Sequence, residues 1–66
     1  MSQIYEMKLR IEEKIKADKL DANEVKGKIG LRAGKLLAFI TASTPDDAAT
    51  ITKLKQAAKE VLNLAL

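Results

Sequence analysis

The sequence predicts an all-α fold, a small three-helix bundle completed by homodimerisation. Three observations carry that expectation. Apolar residues recur at intervals of three and four along most of the chain, capping signals mark where helices begin, and 66 residues hold too little material for a large core. A chain this short buries only about 60% of the surface its unfolded form exposes, so its margin of stability is thin. Small domains make up the deficit with disulfides, a metal, a well-fitted helix interface or a partner subunit. The chain has no Cys and no His. Disulfide frameworks and the zinc or haem sites that use those ligands are thereby excluded, which leaves helix packing and oligomerisation.

The first helix is expected over residues 2–19, where Ile4, Met7, Ile11 and Ile15 fall on one narrow stripe. Glu6 with Arg10, and Glu12 with Lys16, are spaced as i,i+4 pairs with the acid on the N-terminal side, each worth about 0.3–0.5 kcal/mol. Tyr5, Leu9 and Leu20 lie off the stripe, as on a helix that touches two neighbours, with Tyr5 a half-buried packing residue.

The second helix is expected over residues 22–41. Asp21 offers an N-cap carboxylate, and Glu24 three positions later completes a capping-box pattern. Neither Gly nor Pro separates it from the first helix, so one continuous helix through Lys19 is the alternative. On a helical wheel Ala22, Val25, Ile29, Ala33, Leu36 and Ile40 form the core stripe. Gly27, Gly30 and Gly34, continued by Ala38, form a second strip. Each Gly costs about 1 kcal/mol relative to Ala inside a helix, so the strip implies that another backbone approaches closely, within the chain or between subunits. Lys28, Arg32 and Lys35, continued by Phe39, form a third strip.

Counting charges locates the net charge of +3. Residues 1–21 carry five bases and five acids, residues 22–43 four bases and one acid, and residues 44–66 three of each. The excess therefore lies on the middle helix, where a basic strip ending in an aromatic can meet phosphates, an acidic partner helix or an anionic surface.

The third helix is expected over residues 45–64. Thr44 supplies an N-cap hydroxyl, Pro45 suits the first helical position, and Asp46 and Asp47 set negative charge against the positive end of the helix dipole. The turn Thr44-Pro45-Asp46-Asp47 resembles the helical-hairpin turn of bacterial secretion-needle subunits, over those four residues alone. Ile51, Leu54, Ala58, Val61, Leu62 and Ala65 make a broad apolar face. The chain stays apolar to Leu66, and Leu62, Leu64 and Leu66 read as a docking surface for a second subunit.

Catalysis by Ser–His or Cys–His is ruled out by composition. Gly30-Leu-Arg-Ala-Gly34-Lys35 has three residues between its glycines where a phosphate-binding loop needs four, and Leu36 where Ser or Thr would hold magnesium. A helix-turn-helix reading is disfavoured because the second helix opens on Asp21 and Glu24, which phosphates repel, and the third on Thr-Pro-Asp-Asp, while non-specific backbone contact through Lys28, Arg32 and Lys35 stays open. The longest apolar run, Leu36 to Ile40, is far short of the roughly 20 residues that cross a bilayer, and no cleavable leader pattern opens the chain, so a cytoplasmic location is expected.

The sequence thus predicts a non-enzymatic interaction or self-association module, an oligomeric adaptor or structural subunit with no cofactor and no metal. Its expected partner is a second copy or another helical protein, and the candidate self-association residues are Gly27, Gly30, Gly34, Leu62, Leu64 and Leu66. The alternative is a small basic regulator that binds nucleic acid or an acidic protein through Lys28, Arg32, Lys35 and Phe39, with nucleic acid the less favoured of the two.

Overall fold

Periodic isoleucines make the first element, and local caps decide where each of the others begins and ends. The computed structural model describes residues 2–66. Helix α1 spans Gln3–Ala17, α2 spans Ala22–Ala33 and α3 spans Ala48–Leu62, with a single 3₁₀ turn at Leu37–Phe39 between α2 and α3. Among the described residues there is no strand, and no helix is long and apolar enough to cross a membrane.

Helix α1 buries Ile4, Met7, Ile11 and Ile15, the stripe that the spacing predicts. Its first three amides, those of Gln3, Ile4 and Tyr5, are taken up by side chains. The Ser2 hydroxyl accepts from the Tyr5 amide at 3.0 Å, and the Asp46 carboxylate accepts from Gln3 at 3.1 Å and Ile4 at 3.0 Å. The helix stops ahead of residue 19 because Lys19 adopts a left-handed conformation, φ 54°. Lys19 and Leu20 donate back to the carbonyls of Lys16 and Ile15 at 3.1 and 2.9 Å, a Schellman termination built without glycine. Helices α1 and α2 are therefore separate. Asp21 starts the second as its sequence position predicts, accepting from Asn23 at 3.0 Å and Glu24 at 3.2 Å. Glu12 pairs across the interface with Lys26 at 3.0 Å rather than along its own helix with Lys16.

The expected helix over residues 22–41 is overturned: α2 ends at Ala33. Gly34, read above as part of a strip inside the helix, is its left-handed cap with φ 71°, and its amide donates to the Gly30 carbonyl at 2.9 Å. Only glycine takes that conformation without a Cβ penalty, so the residue that ends the helix also resets the apolar register. Leu37 and Ile40 are buried, whereas Leu36, expected in the core stripe, is half-exposed. Ala22 is exposed too.

The third helix begins at Ala48, not Pro45, and ends at Leu62. Its N-cap is Asp47, whose carboxylate accepts from the Thr50 amide at 2.8 Å and the Thr50 hydroxyl at 2.6 Å. Thr44, the expected cap, instead closes the preceding connector: its hydroxyl accepts from the Thr41 amide at 2.8 Å, and its own amide donates to the Thr41 carbonyl at 3.1 Å. Asp46, expected in the first turn of α3, caps α1. Asn63, left-handed at φ 54°, terminates α3.

The three helices touch one another pairwise, most extensively α2 against α3. Ile4, Ile11, Ile29, Leu37, Ile40 and Leu54 lie at the centre, fully buried. The radius of gyration is 10.6 Å, beside about 11 Å for a compact domain of this length.

Candidate functional site

The glycines named from the sequence do not share a surface. Gly34 is a cap, and Gly30 is covered by the chain itself, since a Cβ there would meet the Leu36 Cδ2 at 2.7 Å. Gly27 faces open space, with nothing within 4 Å of a Cβ built on it. A close approach thus occurs once, between Gly30 and Leu36, two residues past the cap, and its shortest contact is to the Leu36 side chain and not to backbone. Gly34 drops out of any strip because the helix has already ended.

The C-terminal leucines also turn inward. Leu62 is buried in the core, and Leu64 and Leu66 are partly buried against it. The Asn63 turn directs the tail back over the bundle, where the Arg10 guanidinium donates to the Ala65 carbonyl at 3.2 Å. The tail therefore docks in part on its own chain.

The basic residues are drawn into pairs. Lys28 meets Glu24 at 3.1 Å. The Arg32 Nε meets Glu60 on α3 at 3.2 Å, and its Nη1 donates to the Lys28 carbonyl at 3.1 Å. Lys35 lies beyond the end of α2, and Phe39 sits in the 3₁₀ turn, so the expected continuous strip along one helix is broken at Gly34. Lys35 and Lys53 add their positive charge to the two Thr50 hydrogen bonds that hold the Asp47 carboxyl below its ordinary value of 3.8.

What the structure does bring to the surface is apolar. Leu31 is 86% exposed, Phe39 69% and Leu36 49%, all within nine residues of sequence. Phe39 is not on a loose loop. Leu37 and Ile40 on either side of it are anchored in the core. The Lys8 ammonium donates to the Ile40 carbonyl at 2.8 Å, and the Thr41–Thr44 turn follows at once. An aromatic held outward between two buried anchors loses little entropy when it binds. Of these three, only Phe39 was singled out from the sequence. Leu31 was legible, since it falls opposite Val25, Ile29 and Ala33 on the wheel. Leu36 was not, because its exposure depends on the helix ending at Gly34.

The remaining features are modest. Shallow, open grooves run along α1, one lined by Leu9, Glu12, Glu13 and Lys16. Among the described residues every buried side-chain nitrogen and oxygen has a hydrogen-bond partner, and no three His, Cys, Asp or Glu side chains gather as a cation site. No protein-family model matches the chain, and neither a curated protein nor a solved structure is significantly similar to it.

Proposed function

We propose that this chain is a non-enzymatic protein-interaction module, and that it binds through the corner where α2 meets the 3₁₀ turn. The observation that carries the reading is the exposure of Leu31 and of Phe39, the latter between the core-anchored Leu37 and Ile40, in a chain whose C-terminal leucines are turned onto the core. Interface anchors are typically large apolar or aromatic side chains held in a preset position, and scattered surface leucines are not. Fixing Phe39 between Leu37 and Ile40 fits the first description.

Self-association through Gly27, Gly30, Gly34, Leu62, Leu64 and Leu66 is the second reading, with less support because most of those residues serve the fold of a single chain. Phosphate binding along Lys28, Arg32 and Lys35 is less supported because Lys35 lies beyond the end of α2 and the three bases do not share one helix face. The test is a native mass measurement of the complex in cell extract, for the wild type and for the double variant Leu31→Ser, Phe39→Ser. An interaction module predicts a heavier species that the variant loses while its melting curve is unchanged. A heavier species that survives the double substitution would remove the corner from consideration.

A further inference from the structure

We infer that the partner for this corner is an acidic amphipathic segment of another protein, with apolar side chains to cover Leu31, Leu36 and Phe39 and carboxylates to meet the bases among them. This rests on the interaction surface proposed above and adds the chemistry of its occupant. Between Val25 and Pro45 there is no Asp or Glu, while Lys26, Lys28, Arg32 and Lys35 supply four bases. The apolar corner lies wholly inside that acid-free stretch.

The carboxylates that reach these bases come from outside it, and most are exchangeable. In the Lys28–Glu24 and Arg32–Glu60 pairs both side chains are about half-exposed. Exposed single-point pairs contribute little, so a partner carboxylate can replace Glu24 or Glu60 without leaving a buried charge behind. Among the described residues Lys35 is in no ion pair, and Asp47, whose carboxyl feels its charge, is already committed to the Thr50 amide and hydroxyl.

A second copy fits this corner poorly. A two-fold contact sets like patches against each other, and Glu24 and Glu60 are already paired with Lys28 and Arg32, so Lys35 of each copy would bring positive charge to the seam with no free carboxylate to meet it. An anionic lipid surface is also disfavoured, because a flat sheet of negative charge meets Glu24, Glu60 and Asp47 together with the bases. A segment with discrete carboxylates can address the bases one at a time.

The test uses the full chain, isotope-labelled, titrated with a synthetic leucine–glutamate peptide patterned as an amphipathic helix and with its leucine–lysine counterpart. The acidic peptide is expected to shift the amides of Leu31, Leu36 and Phe39, and Lys28→Glu with Lys35→Glu to weaken it about tenfold, with the loss growing smaller as salt is raised. Arg32 is left intact because it ties α2 to α3, and thermal melting checks that the variant folds. Equal binding of the lysine peptide at the same residues would overturn the acidic partner and leave the apolar surface standing. Shifts confined to α1, with neither peptide reaching the corner, would overturn both. Concentration-dependent shifts at Leu31 and Phe39 without peptide, or binding to phosphatidylglycerol vesicles but not to the peptide, would assign the corner to a different occupant and overturn the inference.

Discussion

The Asp46 carboxylate caps helix α1 at Ile4, accepting from that amide at 3.0 Å and from its neighbour Gln3 at 3.1 Å, across more than 40 residues of sequence. A cap is usually local, supplied by a residue next to the helix it serves. Here one side chain satisfies two free amides of the first helix and fixes the approach to the third.

Asp46→Ala is expected to destabilise the protein by about 1–2 kcal/mol, the upper part of the range for a lost cap because two amides are left unpaired. Thermal unfolding reads this as a fall of about 4–8 °C per kcal/mol in a domain this small. A change within error would mean that water replaces the carboxylate without cost.

Asp47 predicts a pH dependence. Its carboxyl is held below the ordinary value chiefly by the two Thr50 hydrogen bonds, with help from Lys35 and Lys53. A group whose folded value is depressed adds stability that is present above the unfolded value and is lost as pH falls through the folded one. Stability should therefore decline as the solution is acidified below the usual carboxylate range. The Asp47→Asn variant should show a smaller decline, measurable by urea unfolding at a series of pH values.

The three positions that differ in backbone environment should respond in opposite directions. Gly27→Ala, in a helix interior with open space around it, should raise stability by up to about 1 kcal/mol. Gly34→Ala, at φ 71°, should lower it by about 1 kcal/mol. Lys19→Gly should raise it by a similar amount, because lysine now bears the left-handed strain at φ 54°. If Gly27→Ala instead destabilised the protein or changed its mass in solution, the glycine would be part of a contact after all.

The sequence was most readable where the cause is local. Ile4, Met7, Ile11 and Ile15 face inward because nothing competes with their periodicity, and Asp21 caps the helix that starts beside it. Gly34 shows how periodicity misleads: the pattern of apolar residues runs on to Ile40, yet a glycine with Arg32 in the turn before it is also a helix-stop signal, and the stop prevails. Once the register resets, Leu36 and Leu37 exchange roles. Asp46 and the docked tail were beyond reach for another reason. Their partners, Ile4 and Arg10, are distant in sequence and become neighbours only in the fold.

Removing the tail separates its two readings. Truncation after Asn63 deletes Leu64 and Leu66, which are partly buried against the core, and should cost about 1–3 kcal/mol of stability. Sedimentation should show the same mass before and after. A tail that served a subunit seam would instead change the mass and leave the monomer's stability almost unaltered.

Whether the corner of α2 and the 3₁₀ turn is the interaction surface can be read by site-specific photo-cross-linking in cells. A photoreactive residue is placed in turn at positions 31 and 39, and at the outward positions 52 and 56 of α3. Adducts of one defined mass are expected from Leu31 and Phe39 and none from Thr52 or Gln56. Adducts from α3 with none from the corner would contradict it.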